Sequence, residues 1–332
     1  MPTRHPLILI VVSISLIFVH VRPASPQTPF EFFRPTAQAE IVPSDAQLEI
    51  LWEEGGFTEG PVADDDGSVL FSDIKINTEV GNRILRYIPK TGKVETYREP
   101  SGQANGLIFD AKHRLIAAEG AAGGGRRVSI TEADGHVRTL AEKFDGKRLN
   151  SPNDVAVDAS GRVYFTDPRY VGDEERELDF EAVYVIGAGD TLKIATQDVQ
   201  KPNGIVVSPD QKTVYVADAA PNGNQQLLGF KVNDDGTLKD KKVLFDFGQE
   251  RRGIDGMTVN ARGEIFAAAG KGHESAIYVF SPKGKPLALI PLPGPPTNCE
   301  LGRGTRANTL YITGEMPNKK YGLYRIKLKE RS

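Results

Sequence analysis

The amino-acid sequence predicts an all-β fold, a six-bladed β-propeller with four strands in each blade. A pattern of about fifty residues occurs six times, each copy has room for four short strands, and glycine is frequent, with 34 among 332 residues. Long-period repeats of short strands and tight turns are typical of propeller blades. Two packed domains are the alternative, but no stretch between the copies has the composition of a linker.

The N-terminus predicts a signal peptide over residues 1–27. The stretch "MPTRHPLILIVVSISLIFVHV" has a basic start and then an apolar run from Leu7 to Val19. An uncleaved anchor helix is the alternative, because "RPASPQT" is a poor cleavage site. We therefore expect export to the periplasm or the medium, without a membrane span in the mature chain. Residues 28–44 are expected to be a tether or a first packed segment, and residues 45–332 the propeller domain.

Each copy of the repeat begins with an acidic or amide residue, followed by an apolar alternation, a turn and a second strand. The copies are "EGPVADDDGSVLFSD", "NGLIFDAKHRLIAAE", "NDVAVDASGRVYFTD", "NGIVVSPDQKTVYVAD", "DGMTVNARGEIFAAA" and "NCELGRGTRANTLYITG". Their first residues are Glu59, Asn105, Asn153, Asn203, Asp255 and Asn298, spaced 43 to 52 residues apart. Alternation of this kind predicts half-buried strands, so each copy starts with a β-hairpin.

Two more strand-like runs follow most hairpins, such as "AVYVIG" and "TLKIATQD" after the third. The last copy has only three strands, "NCELG", "TLYITG" and "GLYRIKL". The missing strand is available in "AQLEILWE", residues 46–53, ahead of the first full blade. We expect this N-terminal strand to join the last blade, because that closes the ring and removes exposed strand edges.

Composition and motifs argue against several function classes. The net charge is −3 and Lys and Arg are scattered, so no nucleic-acid partner is expected. The glycine-rich "AAGGGRR" lacks the Lys and Ser/Thr of a phosphate-binding loop. No G-x-S-x-G stands before a helix, and the single Cys299 is interpreted as a buried small residue, not a nucleophile.

The first residues of the six copies are expected to meet at one mouth of the central channel, because the innermost strand of every blade lines it. Two carboxylates and four amides around one axis form an oxygen-rich site that suits a hard cation such as Ca²⁺. The lack of a His or Cys cluster argues against zinc. A turn or strand-capping role is the alternative at any single position. Asp154, beside Asn153, is interpreted as a turn residue or a support behind the ligands.

Several motifs resemble those of the SMP-30/gluconolactonase/regucalcin-like family, especially its bacterial gluconolactonase-type members. They are "FTEGPV", "NGLIFD", "GKRLNSPNDVAVDASGRVYFTDPRY", "KPNGIVVSPDQKTVYVAD" and "DGMTVNARGEIF". The likeness covers about residues 45–330 and implies one divalent cation in the channel. Ca²⁺ is the expected ion, with Zn²⁺, Mn²⁺ or Mg²⁺ as alternatives. Carried over by position, its ligands are Glu59, Asn153, Asn203 and Asp255.

The resemblance also implies hydrolysis of a small-molecule lactone, with the metal polarising the carbonyl and Asp255 activating water as the catalytic base. The residues expected to contact the substrate are Asn105, Glu119, Arg169, Tyr170 and Asn298. A second group of acids ends the second strands of three blades, and a turn role is preferred for it. This group consists of Asp73, Asp167 and Asp218.

Two departures from the family pattern affect substrate contacts. Animal members carry Arg where this chain has Ser151, and many bacterial members have "EHGNRR" where this chain has "EGAAGGGRR". A sugar lactone such as glucono-1,5-lactone is the first hypothesis for the substrate. A phosphotriesterase or other ester hydrolase on the same metal site is the second. A non-catalytic ligand-binding propeller with a structural metal is the third.

Overall fold

The computed structural model describes residues 30–76 and 81–330, so the predicted signal peptide lies outside the described residues. Six four-stranded antiparallel sheets form a ring. Their innermost strands contact one another in chain order, and the sixth contacts the first. This arrangement confirms the predicted six-bladed β-propeller.

The blades are numbered along the chain and their strands run from the channel outward. Blade 1 has Thr58–Ala63, Val69–Asp73, Arg83–Ile88 and Lys93–Arg98; blade 2 has Ala104–Phe109, Leu115–Glu119, Arg127–Thr131 and Val137–Ala141; blade 3 has Val155–Val157, Val163–Asp167, Ala182–Ile186 and Leu192–Thr196. Blade 4 has Pro202–Val207, Thr213–Ala219, Gln225–Val232 and Leu238–Asp246; blade 5 has Ile254–Val259, Ile265–Ala269, Ala276–Phe280 and Pro286–Pro291; blade 6 has Pro296–Leu301, Thr309–Glu315, Tyr321–Lys327 and Glu49–Gly55.

The remaining elements are short. A small hairpin, Lys143–Phe144 with Lys147–Arg148, precedes blade 3, and a one-turn α-helix spans Gln38–Ile41. Three single 3₁₀ turns occur at Ala188–Asp190, Gly272–Glu274 and Gly304–Arg306. No helix within the described ranges is long and apolar enough to cross a membrane.

Blade 6 joins the two ends of the described chain. Its outermost strand, Glu49–Gly55, pairs antiparallel with Tyr321–Lys327. Glu49 lies opposite Arg325, which donates to the Glu49 carboxylate at 2.7 Å. The Trp52 ring of the same strand packs against Phe71 of blade 1, with ring centroids 5.6 Å apart.

The core lies between neighbouring blades. In a propeller the second strand of a blade is covered on both faces, so apolar runs are expected there without strict alternation. Every residue is buried in the second strands of blades 1, 2, 3 and 5. Large aromatic side chains fill the space farther from the channel. Five fully buried tyrosines illustrate this, namely Tyr164, Tyr184, Tyr278, Tyr311 and Tyr324.

Residues 30–44 pack along the outer side of blade 5. The rings of Phe33 and Tyr278 meet edge to face with centroids 4.9 Å apart. Gln38 exchanges two hydrogen bonds with the backbone of Leu289, at 2.9 and 2.7 Å. The segment therefore covers the outermost strand of blade 5, which would otherwise present free backbone groups.

Candidate functional site

A cavity of about 660 Å³ opens at one end of the channel, where the innermost strands begin. Five of the six predicted first residues line it. They are Glu59, Asn105, Asn153, Asn203 and Asp255. Each stands at or just ahead of the start of an innermost strand in blades 1 to 5. The ring therefore brings together residues that are far apart in sequence.

The glycine that follows most of these residues lets adjacent innermost strands approach closely. A Cβ atom at Gly204 would lie 2.4 Å from the carbonyl oxygen of Asp255 in the next blade. At Gly60, which has φ +45°, it would lie 2.1 Å from the carbonyl oxygen of Asn105. Only glycine fits such contacts. The recurring acid-Gly or amide-Gly pair therefore marks the tightest part of the channel.

Asp255 is the most strongly oriented carboxylate of the cavity. One of its oxygens accepts a hydrogen bond from Asn203 Nδ2 at 2.8 Å, and the other pairs with the Arg252 guanidinium. Arg252 is fixed in turn, because it donates to the carbonyls of Gly270 at 3.1 Å and Pro296 at 2.9 Å. Burial raises the pKa of Asp255, while Arg252 and Asn203 act in the opposite direction.

The Glu59 carboxylate is also buried, but within the described residues it has no charged partner like the Arg252 of Asp255. Its carboxylate accepts a hydrogen bond from the backbone N–H of Gly60 at 3.0 Å. Burial raises the pKa of Glu59 well above its usual range, and the nearby Asp255 carboxylate raises it further. The hydrogen bonds from Gly60 and the Asn298 side chain only partly offset this. The cavity therefore holds two buried carboxylates that repel each other.

Asp154 lies next to this pair, but its carboxylate binds backbone groups of the protein. Its carboxylate accepts hydrogen bonds from the N–H of Val155 at 3.0 Å and from the N–H of Ile205, in blade 4, at 3.2 Å. Burial raises the pKa of Asp154 to about 7, although both backbone bonds lower it. The carboxylate thus links blades 3 and 4, which agrees with its interpretation as a support behind Asn153.

Asn298, the sixth first residue, is outside the cavity lining. It is buried, and its side chain hydrogen-bonds to both Glu59 and Asp154. It therefore connects two carboxylates, which differs from the expected substrate contact. The next residue, Cys299, is buried, and its thiol donates to the carbonyl of Phe266 at 3.3 Å. Burial raises the pKa of that thiol well above its usual range, as its interpretation as a buried small residue requires.

Tyr170 lines the cavity, as expected for a substrate contact. Its hydroxyl donates to the carbonyl of Ala219 at 3.0 Å, and the Lys201 ammonium lies 5.0 Å from its ring centroid. Although Tyr170 is 37% exposed, desolvation and the nearby Asp255 carboxylate raise the pKa of its hydroxyl above the usual range. The ring bridges the loops of blades 3 and 4 at the cavity mouth.

Glu119 and Arg169, also expected to contact substrate, do not line the cavity. Glu119 is buried and accepts hydrogen bonds from Arg127 at 2.7 Å and Ser129 at 2.6 Å. Arg169 donates to the carbonyl of Asn150 at 2.7 Å. The cause is the direction of their side chains, which extend toward their hydrogen-bond partners on Arg127, Ser129 and Asn150. Glu119 thus connects to the third strand of its own blade, and Arg169 holds the loop that contains Asn150.

The repeated acids Asp73, Asp167 and Asp218 bind backbone groups of nearby turns, in agreement with the turn role preferred for them from the sequence. Each accepts hydrogen bonds from two consecutive backbone N–H groups just ahead of its own innermost strand. The donors are Gly56 and Phe57, Asn150 and Ser151, and Gln200 and Lys201, respectively. These carboxylates fix the segments that lead into Glu59, Asn153 and Asn203.

Some cavity residues were not predicted from the sequence. For Arg252 the sequence offered only a weak indication, namely a cationic residue three positions ahead of Asp255 in "RRGIDGM". Phe57 is the first residue of the motif "FTEGPV", but aromatic residues are common in strands, and the motif did not assign it to the cavity. Val171 directly follows the motif that ends in Tyr170, and Tyr321 directly precedes the strand-like "GLYRIKL", but neither was assigned to the cavity. All four line the cavity.

The donors in the cavity fit a hard cation. Two carboxylates, on Glu59 and Asp255, and the amides of Asn153 and Asn203 line one cavity, and oxygen donors of this kind suit Ca²⁺. Added positive charge would relieve the repulsion between the buried carboxylates. Within residues 30–76 and 81–330, no group of three or more His, Cys, Asp or Glu side chains is placed to hold a metal. A cation here would therefore depend on amide oxygens.

Comparison with known proteins identifies the family. The model of the SMP-30/Gluconolactonase/LRE-like region matches residues 57–315. A gluconolactonase of Zymomonas mobilis is 28% identical over 312 residues, covering 85% of this chain and 82% of that protein. The diisopropyl-fluorophosphatase of Loligo vulgaris is 27% identical over 276 residues, covering 77% and 84%. The structure of the Xanthomonas campestris gluconolactonase XC5397 is 29% identical, with a TM-score of 0.75 over 93% of this chain and 99% of that one. The chain belongs to the SMP-30/gluconolactonase/LRE-like family.

Proposed function

We propose that this chain is a metal-dependent lactonase that hydrolyses a sugar lactone such as glucono-1,5-lactone to the aldonic acid. The observation that carries the proposal is the meeting of Glu59, Asn153, Asn203 and Asp255 in one cavity at the channel mouth. Two gluconolactonases among its relatives support the reaction class, hydrolysis of a carboxylic ester.

The cation-binding role is assigned to the four predicted ligands. Glu59 and Asp255 would supply charge, and Asn153 and Asn203 would supply amide oxygens. Asn203 uses its amide nitrogen to donate to Asp255, which leaves its amide oxygen available for a cation. A divalent ion held by these residues, Ca²⁺ or another hard cation, would supply a Lewis acid for the lactone carbonyl and for the charge that develops on its oxygen.

Asp255 is the proposed general base that takes a proton from the attacking water. Burial raises the pKa of its carboxyl from the ordinary value, which brings it toward the range of an effective base. The bonds from Asn203 and Arg252 fix the orientation of the carboxylate. Arg252 also keeps a positive charge beside Asp255, so the carboxylate form persists in a buried site.

A second candidate is hydrolysis of a phosphotriester or another ester at the same site. The likeness to a diisopropyl-fluorophosphatase favours it. A third, a non-catalytic propeller with a structural metal, would leave Asp255 without a chemical role. These candidates differ in the bond that is cleaved, so a panel of substrates separates them.

The test is to assay purified protein with Ca²⁺ on glucono-1,5-lactone, an aryl ester and a phosphotriester. We expect the lactone to be hydrolysed fastest, and Asp255→Asn to lower kcat/KM by about a hundredfold or more through loss of the base. Asp240→Asn is the matched control, because Asp240 is exposed on the outermost strand of blade 4. Preference for the phosphotriester would favour the second candidate. Inactivity on all three substrates would favour the non-catalytic propeller.

Export is part of the proposal and rests on residues 1–27, outside the described residues. We propose that they are removed during secretion. Mass spectrometry of the mature protein from the producing cell should give an N-terminus between residues 24 and 30. An intact N-terminus on a membrane-bound protein would favour the anchor alternative.

A further inference from the structure

The edge of the cavity formed by blades 4 and 5 carries polar side chains that the fold does not use. Asn222 follows the second strand of blade 4, Gln249 and Glu250 precede the innermost strand of blade 5, and Lys271 follows its second strand. All four are exposed and line the cavity, and we name them the polar rim. Among the described residues, none of these four side chains has a hydrogen-bond or ion-pair partner, and the same holds for the amide of Asn105, which lines the cavity from blade 2.

The backbone that carries the polar rim is held in place by hydrogen bonds. The two loops of blade 5 are tied to each other, because the N–H of Gly270, next to Lys271, donates to the carbonyl of Arg252 at 2.9 Å. The N–H of Gly253 donates to Gln225 Oε1 in blade 4 at 2.7 Å. A ligand would therefore meet the polar rim without first ordering its loops, which lowers the entropic cost of binding.

The polar rim combines three kinds of hydrogen-bonding group. The Lys271 ammonium only donates, the Glu250 carboxylate only accepts, and the amides of Asn222 and Gln249 do both. A hydroxyl group also donates and accepts, so it can pair with any of them. An anionic ligand would be attracted by Lys271 but repelled by Glu250, and a cationic ligand would experience the reverse. The set therefore fits a neutral ligand with several hydroxyl groups.

Blade 1 lies across the channel from blade 4, and the wall formed by blades 6 and 1 is apolar. The rings of Phe57 and Tyr321 lie with centroids 4.6 Å apart, and the Ile74 N–H donates to the carbonyl of Phe57 at 2.8 Å. All three residues line the cavity. A pyranose lactone has hydroxyls around its edge and C–H groups on its faces. One ring can therefore present carbon to this wall and hydroxyls to the polar rim at the same time.

We propose that Glu250 and Lys271 determine specificity by binding hydroxyl groups of the substrate, which is a neutral pyranose lactone without phosphate or carboxylate groups. The inference rests on the proposed lactonase function. The lactone carbonyl would lie near Asp255, with one ring face toward Phe57 and Tyr321 and the hydroxyls toward the polar rim. Each hydrogen bond stabilises the bound sugar lactone, whereas a lactone without hydroxyls leaves the polar rim to water.

The first test measures kcat/KM in the presence of Ca²⁺ for glucono-1,5-lactone, 6-phosphoglucono-1,5-lactone and δ-valerolactone, which has the same ring without hydroxyls. We expect glucono-1,5-lactone to be preferred over both. The double variant Glu250→Met/Lys271→Met keeps the net charge and should reduce the ratio of kcat/KM between glucono-1,5-lactone and δ-valerolactone about tenfold, chiefly through KM. Glu95→Met/Lys242→Met is the matched control, because both residues are exposed on outermost strands, outside the cavity lining.

Two outcomes of this first test would overturn the inference and leave the lactonase function standing. One is a ratio that the double variant leaves unchanged. The other is preference of the wild-type protein for the phosphorylated lactone, because the carboxylate of Glu250 should disfavour an anion.

The second test measures binding, so that it does not depend on hydrolysis. Calorimetry should give tighter binding of glucono-1,5-lactam, an unreactive analogue of the lactone, than of 2-piperidinone, which lacks the hydroxyls. The double variant should remove most of this difference. Such a result without hydrolysis of any lactone would refute the lactonase function but keep the polar rim. Equal affinity of the wild-type protein for the two lactams would overturn the inference, whether or not a lactone is hydrolysed.

Discussion

The fold buries the carboxylates of Glu59 and Asp255 close together, which is electrostatically unfavourable but provides two acidic groups for a cation in the cavity. Each is buried, and their mutual repulsion raises the pKa of Glu59 beyond the effect of burial. The positive charge of Arg252 balances the negative charge of Asp255, whereas Glu59 receives hydrogen bonds from the neutral groups of Gly60 and Asn298. A bound cation would relieve this imbalance.

Metal binding should therefore release protons. Because its pKa is raised above the usual value, Glu59 keeps a larger share of its proton at a given pH in the metal-free protein than an ordinary carboxyl group does, and a hard cation binds the carboxylate form. The affinity for Ca²⁺ should rise with pH and fall as the solution becomes more acidic. Calorimetry in two buffers of different ionisation enthalpy measures the protons released at pH 7.

Glu59→Gln should weaken Ca²⁺ binding and reduce proton release, and Asp240→Asn should change neither. An affinity that is independent of pH, with no protons released, would mean that Glu59 is already ionised in the metal-free protein and would contradict its raised pKa. The stability of the variants must be compared in parallel, since the Glu59 side chain also contacts Asn298.

Among the elements, the end of the second strand has a structural role that the repeat makes visible. Asp167 accepts hydrogen bonds from the N–H groups of Asn150 and Ser151, which lead into Asn153. Asp167→Ala should leave both buried donors unpaired and lower the free energy of unfolding by about 3 kcal/mol. Urea unfolding measures it, with Asp240→Ala as the exposed control. Equal stability of both variants would contradict the role.

The N-terminal segment is a second element that contacts a cavity residue, although it precedes the family-matched residues 57–315. The guanidinium of Arg251, which lines the cavity, lies 4.1 Å from the centroid of the Phe32 ring. Phe32→Ala should lower the free energy of unfolding by about 2 kcal/mol and raise KM, because Arg251 loses its support.

Steady-state kinetics with urea unfolding measures both effects of Phe32→Ala. Tyr97→Ala is the control, because Tyr97 is an exposed aromatic residue on the outermost strand of blade 1. A Phe32→Ala protein that is destabilised but has an unchanged KM would limit the segment to a role in stability.

For the whole molecule, buried acids should make stability depend on pH. Burial raises the pKa values of Asp154, Asp167 and Glu300 to about 7. Between about pH 4, the ordinary range of carboxyl groups, and pH 7, the folded state holds protons that the unfolded chain releases. The metal-free protein should therefore lose stability as the pH rises from 5 to 8.

Urea unfolding of EDTA-treated protein at several pH values tests this dependence. Asp167→Asn should flatten the curve because it removes one of the titrating groups. Stability that increases with pH over the same range would show that these carboxyl groups are ionised in the folded state.

At this scale the sequence predicted the ring well, because each repeat corresponds to one blade. The meeting of five first residues followed from that symmetry without any knowledge of side-chain contacts. The roles of Glu119 and Arg169 were not predictable, since their directions depend on partners such as Arg127 and Asn150 in other segments. Tyr321 and Val171 were not predicted as cavity residues, because the residues that line the cavity with them come from other blades.

The most direct test of the account is lactone hydrolysis by the purified protein before and after removal of metal. We predict that EDTA abolishes hydrolysis, that Ca²⁺ restores it, and that Asp255→Asn stays inactive after Ca²⁺ is added. Hydrolysis that persists in EDTA and in the Asp255→Asn variant would contradict the account.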